Sequence, residues 1–371
     1  MNADAILVTA HPEFMRAAIA ELQQLEQQLL PEEEMTTSIY LCSVPDVAAF
    51  LRRVVKTQLI FVRHLAPIQA IVELTSTQED FILLANAIAD LPAFSQFERG
   101  VPFAVQARLA QGERQEGVRP YSSGKLNQAL AGAFADETGA VEAIKKPRVI
   151  VSLLCTPSKG YVGISTAEEN LSSWTGGEEH FAQTPEQVSR AEFKLLEALD
   201  VFNLSLPQVG QALDLGAAPG GWTRILLEAG LHVVAVDPAR LDARVERLPH
   251  LEHYRGYAED YIAGAIQRRQ VFDIIVNDMR MDARDAARLL AQAARCLQED
   301  GIVISVFKLP HATPDMHPLV IFKDALRTLH SAYGVVQAHQ LFHNRQEITA
   351  VAAQPQPHRL SPSSSRQRRP S

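Results

Sequence analysis

Four side chains suited to proton transfer and charge stabilisation lie in the C-terminal half of this chain. They are Lys194 on a predicted helix, Asp278 after FDIIVN, Lys308 at the end of GIVISVFK, and Glu347 before ITAVAA. Ligands of open parallel sheets bind outside the carboxyl ends of the strands, so Asp278 and Lys308 should converge there. A lysine becomes a general base if desolvation or a second cation lowers its pKa. Alternatively, the four residues have ordinary structural roles. The lysines would be solvated surface residues, Asp278 would be the N-cap of the next helix, and Glu347 would lie on an edge strand.

A glycine-rich turn precedes three of these residues. The sequence DLGAAPGGWT, residues 214–223, follows an apolar lead-in and opens an amphipathic run, which predicts a strand, a turn and a helix. A second apolar run, residues 233–236, ends at Asp237, where a carboxylate can hold ribose hydroxyls. A dinucleotide turn would read G-x-G-x-x-G, but Ala218 occupies the second glycine position and Pro219 lacks an N–H donor. The turn therefore favours a different nucleotide-like ligand.

The turn resembles the S-adenosylmethionine-binding turn of the FtsJ-type 2'-O-ribose RNA methyltransferases. Four further segments resemble other motifs of that family and occur in the same order along the chain. They are SRAEFKLL (189–196), FDIIVNDM (272–279), GIVISVFKLP (301–310) and HNRQEIT (343–349). The resemblance covers about residues 185–353 and implies that Lys194, Asp278, Lys308 and Glu347 are catalytic, with Lys308 as the base and no metal required. It implies S-adenosylmethionine contacts from Gly216, Ala218, Pro219, Gly220, Gly221, Trp222, Asp237, Asp260 and Asp278. Glu259 is an alternative to Asp260.

Two other methyl-transfer chemistries are disfavoured by the residue types near the predicted strands. Enzymes that methylate amino groups commonly carry N/D-P-P-Y/F after the fourth strand, whereas residues 277–280 read NDMR. Methylation of a pyrimidine carbon needs a nucleophilic cysteine. Of the three cysteines in the chain, only Cys296 falls in this region, within a predicted helical run over 286–297. We interpret it as a buried structural thiol.

Composition and net charge limit the classes of protein to which this chain can belong. A length of 371 residues suggests two or three domains, and a 47% hydrophobic content allows each a sizeable core. No apolar run is long enough to cross a membrane, no basic leader is apparent, and three scattered cysteines indicate neither disulfides nor zinc, so we expect a cytoplasmic protein. The net charge of −8 is unusual for an RNA-binding protein, so RNA affinity requires a local basic patch. Candidates are Arg52, Arg53, Lys56, Arg63, Lys145, Lys146, Arg148, Arg280 and Arg284.

The N-terminal part divides into two predicted regions. Residues 1–75 alternate strand (5–9), helix (13–29), strand (38–42), helix (44–56) and strand (59–62), which is typical of a ferredoxin-like α+β unit. Residues 76–167 are predicted to contain helices over 79–90 and 122–137 and strands over 102–109, 149–155 and 160–165. Through FAVQAR (103–108), KKPRVIV (145–151) and GYVGI (160–164) they resemble a THUMP domain, an RNA-binding module. The alternative is a ferredoxin-like scaffold that does not bind RNA.

Two further segments connect or extend these regions. Residues 168–184 are predicted to be an interdomain linker. Residues 354–371, rich in Pro, Ser and Arg, are predicted to be a disordered tail because they contain too few apolar residues to fold.

The predicted fold class is therefore α/β: a Rossmann-like methyltransferase domain preceded by α+β ferredoxin-like and THUMP-like domains. That order resembles the bacterial enzymes that methylate the 2'-hydroxyl of a cytidine in 23S ribosomal RNA, which implies 23S ribosomal RNA or a precursor particle as the partner. Departures from the pattern are Ala218, where a cysteine is common, and Ala191, where a serine is common. Two alternatives remain: a noncatalytic RNA-binding or ribosome-assembly factor, and a methyltransferase acting on transfer RNA or on a base.

Overall fold

The computed structural model describes residues 5–110, 119–310 and 318–356. The chain divides into two compact units, Met1–His180 and Phe181–Ser371. None of the helices that the structure describes is long and apolar enough to span a membrane. The predicted tail begins too early, since 354–355 belong to a strand that ends at Pro355; residues 357–371 lie outside the described residues.

The first unit opens with a four-stranded antiparallel sheet and two helices. The elements are β1 (Ala5–Ala10), α1 (Met15–Leu25), β2 (Leu30–Thr36), β3 (Ile39–Ser43), α2 (Val47–Val54) and β4 (Val62–Ile68). The strand order β2-β3-β1-β4 with a β-α-β-β-α-β chain order is the ferredoxin-like arrangement. The predicted helix 13–29 is wrong at its end, because the chain leaves α1 at Leu25. Strand β2 was not predicted, since its sequence LPEEEMT lies exposed at the sheet edge and carries no alternating pattern.

A second sheet with two helices completes this unit. Its elements are β5 (Ala70–Glu73), α3 (Glu79–Ala89), β6 (Pro102–Leu109), α4 (Ser123–Thr138), β7 (Val141–Glu142), β8 (Val149–Cys155) and β9 (Lys159–Thr166). The strand order is β5-β9-β8-β6-β7. Strands β6 and β8 occupy the predicted residues. Strand β5 pairs with β9, so residues 70–73 belong to this sheet and not to the ferredoxin-like one in which we expected them. The predicted α+β character of the N-terminal part is confirmed.

Most of the predicted linker 168–184 is packed onto the first unit. Asn170 is fully buried, and its amide nitrogen lies 3.1 Å from Ser152 Oγ and 3.3 Å from His64 Nε2. The Leu65 backbone N–H donates to the Asn170 carbonyl over 3.1 Å. Buried polar groups must find partners, so these bonds hold the segment in place. Arg63, one of the candidates for a basic patch, is only 9% exposed in the same region.

The second unit is built on one seven-stranded sheet. Its elements are α5 (Glu192–Val201), β10 (Gln211–Leu215), α6 (Gly221–Glu228), β11 (His232–Val236), α7 (Ala243–Glu246), β12 (Leu251–Tyr254), α8 (Ala258–Arg268), β13 (Phe272–Asn277), α9 (Ala283–Ala293), β14 (Leu297–Lys308), α10 (Pro318–Ala332), β15 (Tyr333–His339) and β16 (Glu347–Pro355). The order is β12-β11-β10-β13-β14-β16-β15, and β16 runs opposite to the other six strands of this sheet. Central strands such as β13 are buried on both faces, as their continuous apolar runs predict. The predicted Rossmann-like fold is confirmed, with a mixed sheet.

The sheet order reverses between β10 and β13. The chain moves outward from β10 through β11 to β12, and then returns to place β13 on the other side of β10. Loops that come after β10 and β13 therefore diverge and leave a crevice at the carboxyl ends of the strands. This is where doubly wound sheets bind ligands.

Candidate active site

A cleft of about 660 Å³ lies at this end of the sheet. Its lining includes all four predicted catalytic residues, Lys194, Asp278, Lys308 and Glu347. It also includes every predicted cofactor contact except Gly220 and Asp260. One wall therefore consists of the glycine-rich turn, and the four charged side chains border the same space.

Two glycines shape the turn through their backbone conformation. Gly216 has a φ of +77°, and a Cβ built on it would lie 2.5 Å from Met279 Cγ and 3.0 Å from Met279 Cα. Gly220 has a φ of +110° and is the N-cap of α6. Left-handed backbone of this kind favours glycine. Gly220 therefore contributes to the turn although its atoms do not line the cleft.

Asp237 comes directly after β11 and lines the cleft. Its carboxylate accepts hydrogen bonds from the backbone N–H groups of Ala218 over 3.1 Å and Ala239 over 2.8 Å. These bonds fix the orientation of the side chain. Because a carboxylate has about four acceptor positions, two remain for ligand hydroxyls.

One acidic residue predicted to contact the cofactor does not line the cleft. Glu259 and Tyr257 line the cleft, whereas Asp260 does not. Both acidic residues lie in the first turn of α8, where successive helical side chains point about 100° apart. Glu259, the alternative that the sequence left open, is the one that borders the cleft.

The four charged side chains form a closed ring of alternating sign. Lys194 Nζ lies 3.3 Å from Asp278 Oδ1 and 2.6 Å from Glu347 Oε2. Lys308 Nζ forms an ion pair with Asp278 and lies 2.9 Å from Glu347 Oε1. The side chains are between 15% and 21% exposed, so the lysines are not ordinary solvated surface residues. Each amine contacts both carboxylates, and each carboxylate contacts both amines.

Three elements that are distant in sequence assemble this ring. Lys194 projects from α5, Asp278 comes directly after β13, and the antiparallel register of β14 and β16 places Glu347 directly opposite Lys308. Both ordinary roles considered for the carboxylates are wrong. The N-cap of α9 is Asp282, not Asp278, and β16 lies between β14 and β15 instead of at an edge.

The electrostatics of the ring favour charged pairs. Burial acts to lower the pKa of Lys194, but Asp278 and Glu347 outweigh it, so that the pKa is raised above its ordinary value. Burial acts to raise the pKa of Glu347, but Lys308 and Lys194 outweigh it, so that this pKa is lowered. Lys194 is therefore a stable cation at neutral pH. That is the condition the general-base hypothesis for Lys308 requires of its neighbour.

One acidic residue of the cleft, Asp214, was not among the predicted site residues. This residue belongs to β10, is 1% exposed, and lines the cleft. Its carboxylate accepts a hydrogen bond from Thr223 Oγ1 over 2.6 Å. Burial raises the pKa of Asp214 to about 7, helped by the charges of Asp278 and Asp237 and opposed by the Thr223 bond. The available signal was an acidic residue inside an otherwise apolar strand.

We expect Asp214→Asn to stabilise the protein more strongly as the pH rises. Because the folded-state pKa of Asp214 lies above its ordinary 3.8, the folded protein holds this proton across the window from 3.8 to about 7. The aspartate therefore favours folding at the acidic end and costs stability above the window. Asparagine removes that cost, on the order of 4 kcal/mol at the alkaline end. Urea denaturation at about pH 5 and about pH 8 measures the difference. A gain in stability that is the same at both pH values would contradict the raised pKa of Asp214.

Comparisons with known proteins agree with this architecture. Residues 187–310 match the family described as FtsJ-like methyltransferase. A ribosomal RNA large subunit methyltransferase M from Halorhodospira halophila is 33% identical over 195 residues, covering 52% of this chain and 53% of that protein. Its namesake from Shewanella sp. (strain W3-18-1) is 28% identical over 228 residues, covering 57% and 60%. The chain thus spans little more than half the length of these relatives.

A solved structure was also matched over most of the chain. The crystal structure of TrmN from Thermus thermophilus has 15% sequence identity and a TM-score of 0.39, covering 94% of this chain and 99% of that one.

Proposed function

We propose, on the premise that residues 187–310 are an FtsJ-like methyltransferase domain, that this protein transfers a methyl group from S-adenosylmethionine to a ribose 2'-hydroxyl of RNA. The observation that carries the proposal is the alternating ring of Lys194, Asp278, Lys308 and Glu347 beside the glycine-rich turn. A ribose hydroxyl is a weak nucleophile, so its attack needs a base and a means of stabilising charge. The ring supplies both without other groups.

The cleft fits S-adenosylmethionine. Gly216 and Gly221 line the cleft, and the lack of a side chain lets the turn pack closely on its neighbours, since a Cβ on Gly221 would lie 2.5 Å from Ser189 Oγ. The Asp237 carboxylate would accept from the ribose hydroxyls, and Glu259 would accept from the adenine amino group. The bound sulfonium would supply an electrophilic methyl group, and the methyl–sulfur bond would break so that a neutral thioether leaves.

The protein's side chains would then manage one proton. In the reactive form Lys308 Nζ is neutral, and its lone pair takes the 2'-hydroxyl proton as the new C–O bond forms. Lys194 would be the second cation beside Lys308 that the general-base hypothesis requires. Asp278 and Glu347 hold both amines in place, so that the geometry needed for attack exists beforehand.

The substrate class is inferred from the relatives and from the N-terminal unit. Relatives named ribosomal RNA large subunit methyltransferase support a 23S ribosomal RNA nucleotide, and the sequence resemblance favours cytidine. The THUMP-like second sheet would bind the RNA, with the exposed residues Lys145, Lys146 and Arg148 as contacts. We expect the protein to act in the cytoplasm, on 23S ribosomal RNA or a precursor particle.

Mass spectrometry of nucleosides tests the proposal. Ribosomal RNA from a strain lacking the gene should lack one 2'-O-methylated nucleoside that the parent strain contains. The wild-type gene and a Lys323→Ala variant should restore it, because Lys323 is an exposed lysine of α10, whereas Lys308→Ala should not. If the missing methyl group is found in transfer RNA instead, transfer RNA and not ribosomal RNA is the substrate. Intact methylation of both RNAs would overturn the proposal in favour of a binding factor.

Arg280 should contribute to RNA affinity. It lines the cleft two residues after Asp278 and is exposed, and among the described residues no carboxylate pairs with its guanidinium. If it contacts a phosphate, Arg280→Ala should weaken RNA binding several-fold and reduce the slope of log affinity against log salt by about one. Filter binding over a salt series measures both. Arg288→Ala is the matched control, because Arg288 is 65% exposed on α9 and pairs with Asp285. Equal losses in both variants would contradict the assignment.

A further inference from the structure

We propose that Glu197 is a positioning residue that holds Glu347 in the catalytic ring. This inference rests on the proposed methyl transfer at the same site. Glu197 lies three residues after Lys194 on α5, and it is not part of the cleft lining. Its action on the reaction would therefore pass through other residues.

Within the described part of the chain, the hydrogen bonds at the Glu197 carboxylate come from one segment. Oε1 accepts from the Phe342 backbone N–H over 2.6 Å. Oε2 accepts from the His343 backbone N–H and from His343 Nδ1, each over 2.8 Å. The Glu197 side chain is only 3% exposed. A carboxylate is costly to bury without donors, so these three bonds define one favourable position for residues 342–343.

The segment that Glu197 holds leads directly into Glu347. Gln340 Nε2 donates to the carbonyl oxygens of Asn344 over 3.3 Å and Arg345 over 3.1 Å, and the Leu309 N–H donates to the Gln346 carbonyl over 3.1 Å. These bonds make residues 340–346 a closed turn that is fastened beside the end of β14. A shift at residues 342–343 would therefore displace the start of β16, where Glu347 contacts both lysines.

Helix α5 thus positions two members of the ring, Lys194 directly and Glu347 through Glu197. Residues three apart lie on the same face of a helix, so α5 presents Lys194 and Glu197 together. Aromatic packing also fixes His343, to which Glu197 is hydrogen-bonded. The His343 ring centroid lies 5.2 Å from that of Phe193 and 5.5 Å from that of Phe181. The imidazole is therefore held on both its polar and its apolar sides.

Replacing Glu197 with glutamine should slow methyl transfer without changing cofactor binding. An amide offers one oxygen and one NH₂ group, so one of the backbone N–H groups would face a donor instead of an acceptor. The turn must then move, and a displacement of about 1 Å at a catalytic group costs up to about a hundredfold in rate. We expect kcat to fall about 10- to 100-fold, with the KM for S-adenosylmethionine unchanged.

A double-mutant cycle separates positioning from general damage. If Glu197 acts through Glu347, the Glu197→Gln/Glu347→Gln double variant should be no slower than Glu347→Gln alone. If the two effects multiply, the proposal is overturned. Tyr333→Phe is the matched control, because the buried Tyr333 hydroxyl donates to the Leu290 carbonyl over 2.6 Å in the same unit and away from the ring. It also loses one buried bond and should keep its kcat.

The same cycle in stability distinguishes failure of this inference from failure of the proposed function. If the wild type methylates no RNA, the proposed function fails, but urea denaturation of the four proteins still measures the coupling between Glu197 and Glu347. Non-additive losses of stability would support the physical link, whereas additive losses would overturn it.

Discussion

Lys308→Met should lower kcat for methyl transfer about a thousandfold, because the change removes the amine that takes the hydroxyl proton. Methionine is similar in length and apolar, so it can occupy the same path along β14 without filling the cofactor side of the cleft. Affinity for S-adenosylmethionine should stay within about threefold, since the glycine-rich turn and Asp237 are untouched. Single-turnover transfer of a radiolabelled methyl group, together with calorimetric titration of the cofactor, measures the two quantities separately.

The matched control for this variant is Lys323→Met on α10, an exposed lysine in the same unit that should leave kcat unchanged. If Lys308→Met transfers the methyl group as fast as the wild type, Lys308 is not the base. Loss of cofactor affinity alone would instead make it a binding residue.

Gly216→Ala should both destabilise the C-terminal unit and weaken cofactor binding. The added Cβ would lie 2.5 Å from Met279 Cγ and 3.0 Å from Met279 Cα, at a backbone φ of +77°. The Cα belongs to the loop that carries Asp278, so the turn and this loop must separate. Left-handed strain and overpacking together should reduce the free energy of unfolding by about 2 to 4 kcal/mol. We expect cofactor affinity to fall at least about tenfold, which corresponds to about 1.4 kcal/mol.

Tryptophan fluorescence can follow this unit by itself. Of the two tryptophans, Trp174 belongs to the first unit and the buried Trp222 to the second, so a Trp174→Phe background leaves Trp222 as the reporter. Gly264→Ala is the matched control, because its Cβ would meet only the flexible end of the Arg268 side chain within α8. It should be neutral or stabilising by up to about 1 kcal/mol. Similar stability losses in both variants would contradict the role of the Gly216 conformation.

Agreement between sequence and structure depended on the burial of each element. Strands β6, β8 and β13 are mostly buried, and their predominantly apolar sequences marked their extent. Strands β2 and β5 are exposed or half-exposed at sheet edges. Strand β2 carries no alternating hydrophobic pattern, and β5 is only the four-residue segment AIVE. The end of α1 was placed too late for a related reason, since polar residues after Leu25 allow a helix as readily as a loop.

The identity of the chemical groups and the local strand–turn–helix at residues 211–228 were determined by the sequence itself. Such features depend on neighbouring residues, on glycine conformation and on side-chain type. Only the tertiary structure decided that Glu347 lies opposite Lys308, because the antiparallel insertion of β16 between β14 and β15 is a pairing between distant segments. Likewise, the phase of α8 placed Glu259 and not Asp260 along the cleft, and burial raised the pKa of Asp214. These outcomes depend on packing and desolvation, which exist only once the chain has folded.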